Sequence, residues 1–176
     1  IEVIKNVPKT ISIKDRDVII DGEVVCTYRN FNSVNSSLSE DMQYKHIRNY
    51  ASGSIRLLDS SVSEKRLLDF IAWDVIDGFN EINLLSEKFN KLATLDFIIV
   101  PFIKSNVVDV GLLTAVKRAA EANSYPIDGV VFKYNDVEYG RSLGSTSHHA
   151  NNAMAYKFYD ETYVTTLKDI EWSLGR

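Results

Sequence analysis

This 176-residue sequence has a single cysteine, no long apolar run and no net positive charge, and each of these features argues against a class of protein. The single cysteine excludes an internal disulfide framework and a four-cysteine zinc site within the chain, and we expect Cys26 to be a buried strand residue. No apolar run reaches the roughly 18 residues of a membrane helix, and no basic segment leads into an apolar one, so we expect a cytoplasmic protein without a membrane partner. The net charge of −4 argues against nucleic-acid binding through bulk charge, so any DNA contact needs a local basic cluster.

The sequence does contain enough apolar material for one globular domain, with 45% hydrophobic and 11% aromatic residues. Apolar residues at steps of three and four predict two amphipathic helices, over Glu81 to Ala93 and Val110 to Ala122. Runs of β-branched and aromatic residues predict strands over Val18 to Tyr28, Leu67 to Ile76, Leu95 to Ile103, Val130 to Phe132, Ala153 to Tyr159 and Thr162 to Thr166. Two polar segments predict loops: Asn30 to Glu40, which Ser39 caps into a helix, and Tyr134 to Ser147.

The most informative stretch is Pro126 to Lys133, which reads P-I-D-G-V-V-F-K. A lysine directly after an apolar strand can pack its stem and present its ammonium to a phosphate at the mouth of a cleft. The alternative is an ordinary edge strand with a solvated lysine. Strict alternation puts Asp128 and Lys133 on opposite faces, so both face one cleft only if Gly129 kinks the strand or Asp128 precedes it.

Four further residues have a binding interpretation and a plain one. Arg48 and Arg56 flank the small residues 51–54, which permit close backbone approach to an anion, whereas the plain alternative is two surface ion pairs. Trp73 offers an indole face to a base, or it is a core tryptophan. Glu23, just past a turn, accepts hydrogen bonds from ribose hydroxyls, or it is an exposed turn acid.

Five blocks of the sequence, in order, resemble the adenylation domain of NAD-dependent DNA ligases. The blocks are D-G-E-V-V at 21–25, R-N-Y-A-S-G-S-I-R-L-L-D at 48–59, F-I-A-W-D-V at 70–75, D-G-V-V-F-K at 128–133 and L-G-S-T-S-H-H-A-N-N-A-M-A-Y-K-F at 143–158. A last segment, D-I-E-W-S-L-G-R at 169–176, looks like the lead into that family's oligonucleotide-binding domain. Each block alone is weak, but their shared order and spacing make the resemblance specific.

This resemblance implies an α+β nucleotidyltransferase core, similar to the ATP-grasp fold, with antiparallel sheets flanked by helices. It implies that Lys133, Lys157, Asp128 and Arg56 serve catalysis, and that Glu23, Arg48, Trp73, Lys133 and Lys157 bind the nucleotide. NAD and Mg²⁺ are the implied cofactors, and nicked double-stranded DNA is the implied partner. We assign no metal ligands, because the pair His148-His149 lacks a third ligand at a recognisable spacing.

The sequence departs from the family pattern in three places. It contains no K-x-D-G motif, which carries the adenylated lysine, and it begins with Ile, so we expect a C-terminal part of the domain, arising from deliberate truncation, a split gene or proteolysis. The family arginine eight residues before Asp128 is replaced by Ala120, with Arg118 nearby. Residues 150–152 are Ala, Asn and Asn where Pro, Arg and Trp are usual.

The expected organisation is therefore a partial adenylation domain over residues 1–168 and the start of a connection over 169–176. Its partners would be an N-terminal segment carrying K-x-D-G, on the same or another chain, and a downstream oligonucleotide-binding domain. Two alternatives remain at this point. One is an ATP-dependent RNA ligase or capping-type nucleotidyltransferase, and the other is a non-catalytic nucleotide-binding or interaction fragment.

Overall fold

The computed structural model describes residues 2–13, 17–147, 149–158 and 164–172. Within these ranges, four strands and six α-helices follow one another along the chain. In order they are β1 (Ile19–Val25), α1 (Tyr28–Asn35), α2 (Ile47–Ile55), α3 (Ser60–Glu64), β2 (Asp69–Asp77), α4 (Leu85–Ala93), α5 (Val110–Ala122), β3 (Gly129–Lys133), α6 (Val137–Ser142) and β4 (Ala153–Lys157). None of the helices in the described ranges has the length and apolar character needed to cross a membrane.

The strands form two separate antiparallel pairs, which agrees with the expected α+β class of small antiparallel sheets. In the first pair, β1 lies against β2 with Glu23 opposite Ile71, and the register slips between Asp21 and Gly22. Gly22 is pressed against the Phe70 ring, so a larger residue would not fit there. In the second pair, β3 lies against β4 in an unbroken register from Gly129 opposite Lys157 to Lys133 opposite Ala153.

Two hydrophobic clusters pack on the β1–β2 side of the molecule. The first contains Cys26, Tyr50, Ala51 and Leu68, and the Tyr50 hydroxyl donates to the Arg66 carbonyl oxygen at 2.8 Å. The second contains Ala72, Val75, Phe79 and Leu92. Cys26 is buried as expected, one residue beyond the end of β1, and burial raises the pKa of its thiol to about 11. A thiol with so high a pKa is a packing residue rather than a nucleophile.

Several predicted elements are confirmed. Helix α5 matches the predicted Val110 to Ala122 and begins with Asp109 accepting from the Leu112 amide. Strands β1, β2, β3 and β4 lie within or overlap the predicted ones, although β1 ends at Val25 and β4 at Lys157, with Tyr159 outside the described residues. Helix α4 is real but starts at Leu85 rather than Glu81.

Other predictions are wrong. The predicted loop from Asn30 contains most of helix α1, which Thr27 caps by accepting from the Asn30 amide, while Ser39 begins only a short 3-10 turn without a side-chain cap. Likewise, the predicted loop after Lys133 contains helix α6.

The predicted strand Leu95 to Ile103 forms only one parallel bridge, between Ala72 and Ile99. Asp96 interrupts it with a φ of 66°, and Pro101 lacks the amide that would extend a ladder. Residues 164–166 are not in a strand, and 162–163, the start of the other predicted outer strand, lie outside the described residues.

Candidate functional site

A cleft of about 690 Å³ lies between β2 and the β3–β4 pair. This volume is in the range of small-molecule sites. Side chains from both sheets line it, among them Trp73, Asp74, Val131, Lys133, Tyr134 and Arg141. The expected fold places the nucleotide between two sheets, and this is the cleft that meets that description.

Lys133 is the last residue of β3 and shares a face with Gly129 and Val131, because alternate residues of a strand point the same way. Its ammonium donates to Asp74 Oδ2 on β2 and lies 5.9 Å from the centroid of the Trp73 ring. The side chains are only 20% exposed for Lys133 and 12% for Asp74. The stem is therefore packed and the charge sits at the cleft, rather than in solvent as an edge lysine would.

Trp73 projects into the cleft and belongs to neither hydrophobic cluster. It is 45% exposed, although Ala72 and Asp74 on either side of it are buried. A half-exposed indole beside an ammonium offers a flat apolar face to a planar ligand. This geometry favours the binding interpretation of Trp73 over a core position.

A second charged group forms at the other end of the β3–β4 pair. Asp128 lies just before β3 and accepts from Lys157 Nζ at 2.8 Å, while Arg48 Nη1 on α2 is 3.7 Å from the same oxygen. The hydrogen bond from Lys157 and the two positive charges hold the pKa of Asp128 below its usual 3.8. These side chains are 60% to 78% exposed, so each pair contributes at most about 1 kcal/mol to stability.

Asp128 stands one residue before β3, which is one of the two conditions under which it and Lys133 can face one cleft. Because Asp128 precedes the strand, strict alternation does not apply to it. At Gly129 a Cβ would lie 2.5 Å from the Tyr156 carbonyl oxygen, so only glycine lets β3 approach β4 this closely. Lys157, opposite Gly129, points to the same face as Lys133, about 13 Å further along the strand.

The remaining candidates are less closely grouped. Glu23 is exposed on β1 opposite Ile71, and the register slip between the pairs Gly22–Ala72 and Asp21–Asp74 leaves Trp73 as the extra residue of a bulge. Arg56 is exposed at the C-terminal end of α2, about 12 Å along the helix from Arg48, and no ion pair involves it among the described residues. The structure thus brings Arg48 to Asp128 but leaves Arg56 apart.

The small residues between the two arginines pack inward, and their predicted close approach to an anion stays a prediction. Ala51 and Ser54 are buried on the inner face of α2, and Gly53 lies against the Tyr44 ring. They let the helix approach the first hydrophobic cluster.

Sequence reasoning missed three residues around the cleft. Asp74 is a carboxylate in the interior of β2, whose other two aspartates stand at the ends of the strand, and this signal could have identified it. Lys88 is 1% exposed and donates to the Gly78 carbonyl oxygen at 2.8 Å, and burial lowers its pKa. Arg141 lines the cleft from α6, a helix that the sequence analysis did not predict.

A polar clamp, made of Asn83, Asn135 and Asp136, lies beside the cleft, which Asp136 lines. The Asn135 side chain accepts from the Ser86 amide at 2.8 Å, and the Asn83 side chain donates to Asp136 at 3.1 Å and accepts from the Glu138 amide at 2.9 Å. The clamp ties the turn before α4 to the turn after β3, which fixes β2 and β3 relative to each other.

Among the described residues, no group of three or more His, Cys, Asp or Glu side chains could hold a metal ion. The two carboxylates nearest the lysines, Asp74 and Asp128, are already ion-paired. His148 lies outside the described residues, so its predicted lack of a metal role stays a prediction.

Comparison with known proteins identifies the family. The model of the NAD-dependent DNA ligase adenylation domain matches residues 1–161. The chain belongs to this family. Curated relatives named DNA ligase include those of Lachnoclostridium phytofermentans, 37% identical over 99% of this chain, Ruminiclostridium cellulolyticum, 34% identical over 99%, and Psychrobacter sp., 36% identical over all of it.

The chain spans about 27% of the length of these relatives. Membership of the NAD-dependent DNA ligase family favours that interpretation over an RNA ligase or capping-type enzyme.

The position eight residues before Asp128, where the family usually has an arginine, is Ala120 in this chain. Ala120 is buried on α5, whereas Arg118 is exposed. An arginine at position 120 would therefore need a different environment from the one found here.

Proposed function

We propose that this chain is the part of an NAD-dependent DNA ligase that binds NAD, the adenylate and the DNA 5′-phosphate. The observation that carries the proposal is the pairing of Trp73 with Lys133 in one cleft, where the ammonium lies 5.9 Å from the ring centroid. A flat aromatic face suits a base, and an adjacent compact cation suits a phosphate. Family membership supplies the identity of the nucleotide.

Each residue has a role in this proposal. Trp73 stacks on adenine, and Glu23, an exposed carboxylate on β1, accepts from the ribose hydroxyls. Lys133 contacts the α-phosphate. Lys157 and Arg48, both ion-paired with Asp128 at the other end of the β3–β4 pair, supply further charge for the phosphates. Arg56 serves the DNA 5′-phosphate, since it is exposed and outside the paired groups.

The proposed reaction transfers AMP twice. A lysine amine from outside residues 1–176 attacks the α-phosphorus of NAD, so that a P–N bond forms as the bond to nicotinamide mononucleotide breaks. An oxygen of the DNA 5′-phosphate then attacks the same phosphorus, so that a P–O–P bond forms as the P–N bond to lysine breaks. In nick sealing the 3′-hydroxyl of the neighbouring strand attacks the 5′-phosphate, and AMP leaves. Such steps depend on alignment and charge neutralisation more than on proton transfer, which suits a site built from lysines and arginines.

The described residues fit a nucleotide better than a metal cage. The cleft volume and its aromatic and cationic lining suit NAD, whereas no three-ligand cluster is present among the described residues. Mg²⁺ typically keeps several waters and binds through one or two carboxylates and substrate phosphates. Bound in that way, it would supply additional neutralisation of phosphate charge.

The proposed partners follow from the length of the relatives and from the motif that the sequence lacks. They are nicked double-stranded DNA, a segment with K-x-D-G and a downstream oligonucleotide-binding domain. Residues 169–176 would form the start of the connection to that domain. Residues 1–168 would form the partial adenylation domain. We propose the cytoplasm as the location.

The decisive experiment mixes this chain with the N-terminal part of the domain from one of its relatives and with NAD. Mass spectrometry then looks for a lysine carrying AMP. We expect the adduct on the K-x-D-G lysine only when both parts and NAD are present, with ATP as the matched control. An adduct of equal yield from ATP, or none from NAD with a demonstrated complex, would contradict the proposal.

A further inference from the structure

Asp74 is unusual because it is a nearly buried carboxylate whose two oxygens both have partners. Oδ1 accepts from the Val75 amide at 2.9 Å, and Oδ2 accepts from the Lys133 ammonium. Only 12% of the side chain is exposed. A carboxylate in such a place is stable only when paired, and the Lys133 ammonium supplies the opposite charge.

The contact between Asp74 and Lys133 crosses the cleft. Asp74 belongs to the β1–β2 pair and Lys133 to the β3–β4 pair, and among the described residues no backbone ladder joins the two pairs. A lysine side chain has many rotamers, so an unrestrained ammonium would spread over a wide volume. The Val75 amide fixes the carboxylate, and the carboxylate in turn fixes the ammonium beside the Trp73 ring.

We propose that Asp74 is a positioning residue that holds the Lys133 ammonium beside Trp73, ready to meet a nucleotide phosphate. This rests on the proposed nucleotide-binding function of Trp73 and Lys133. An ammonium has three donors, so one directed at Asp74 leaves two for phosphate oxygens. The pair at Asp128 and Lys157 differs, because it is mostly solvent-exposed and does not cross the cleft.

The first test needs no nucleotide. The 176-residue chain is treated with an amine-acetylating reagent, and labelling rates at each lysine are read by mass spectrometry. We expect Lys133 to react more slowly than Lys157 in the wild type, and Asp74→Asn to raise the Lys133 rate about tenfold, as expected for loss of a charge-assisted hydrogen bond. Asp77→Asn, a matched loss of charge at the exposed end of the same strand, should leave it unchanged. Unchanged Lys133 labelling in Asp74→Asn overturns the proposal.

The second test asks whether the contact serves a nucleotide. AMP affinity is measured by calorimetry for the wild type, Asp74→Asn, Lys133→Ala and the double variant. A positioning residue acts through Lys133, so Asp74→Asn should weaken AMP binding about tenfold in the wild type and have no further effect in Lys133→Ala. Equal effects in both backgrounds would mean a general structural role and overturn the proposal.

Two outcomes keep this inference separate from the proposed function. If wild-type chain does not bind AMP, the nucleotide function fails, and the labelling result alone decides whether Asp74 holds Lys133. If Asp74→Asn does not fold, Asp74→Glu takes its place in the AMP-binding test. This variant keeps the negative charge but displaces the Lys133 ammonium by about the length of one methylene group. We expect it to fold and to weaken AMP binding at least about threefold; an affinity equal to wild type overturns the proposal.

Discussion

Replacing Trp73 by alanine tests the cleft most directly, and its effect can be derived from the structure. Trp73 is 45% exposed, so of a tryptophan's roughly 250 Å² about 110 Å² is open to a ligand. A base stacked on one face covers about half of this, which is worth about 1.4 kcal/mol at about 25 cal/mol per Å². The aromatic stack adds about 0.5 to 1.5 kcal/mol beyond the area. We therefore expect Trp73→Ala to weaken AMP binding by about 2 to 3 kcal/mol, or about 30- to 150-fold in Kd.

The assay is titration calorimetry of AMP against the wild type and the variants. Trp73→Phe and Trp73→Tyr should restore most of the affinity, because they keep a ring at the same place. Trp172 provides a matched control, since it is 90% exposed and does not line the cleft, and Trp172→Ala should leave the Kd unchanged. Circular dichroism should show all variants folded. Equal AMP affinity for Trp73→Ala and wild type would refute the reasoning and reduce Trp73 to a structural residue.

Four further predictions concern catalysis, charge and stability. Incubated alone with radiolabelled NAD, the chain should form no covalent adenylate, because none of its lysines lies in K-x-D-G; robust labelling would exclude the assignment. When the chain is mixed with the N-terminal part that carries K-x-D-G, Lys157→Ala should slow single-turnover self-adenylation about 100-fold or more, as expected for loss of a fixed charge-stabilising donor. Lys157→Arg should restore the rate poorly, because a planar guanidinium does not replace a compact ammonium. Full activity of the Lys157→Ala mixture would contradict the role of Lys157. Because the fold lowers the pKa of Asp128, the stability it contributes should be complete above its ordinary 3.8 and be lost as the pH falls through the lowered value. A carbon NMR titration should show that Lys157→Ala moves this pKa upward, and an unmoved titration would mean that Lys157 is not the cause. Tyr50→Phe should lower the free energy of unfolding by about 1 kcal/mol, since the Arg66 carbonyl loses its buried donor, whereas Tyr28→Phe, at an exposed position, should not change it in urea denaturation.

The parts of the fold that local pattern controls were predictable. Helix α5 combines a regular apolar period with an Asp109 cap, and β3 combines a Gly entry with β-branched residues, so local preference and tertiary structure agree there. Helix α1 was missed because its polar composition hides two apolar contacts, Phe31 and Val34, with the first cluster. Its signal was the Thr27 cap, which accepts from the Asn30 amide.

The site was predictable only residue by residue. Family motifs pointed to Trp73, Lys133 and Lys157, but which charges meet depends on how two strand pairs dock. Asp74 and Lys133 are 59 residues apart, and no periodicity links them. The same holds for Arg48, whose approach to Asp128 depends on the packing of α2 against the first cluster.

The β3–β4 pair carries both lysines of the proposed site, yet it buries little. Every residue of β4 is exposed, and β3 contains no fully buried residue, whereas β2 contributes Ala72 and Val75 to a hydrophobic cluster. A two-stranded ribbon with so little apolar burial has low local stability. We expect its amides to exchange with deuterium well before those of β1 and β2, by local opening that leaves the clusters intact. A ligand that bridged Lys133 and Lys157 would then slow exchange in this ribbon first, which makes amide exchange a sensitive reporter of ligand binding in this chain.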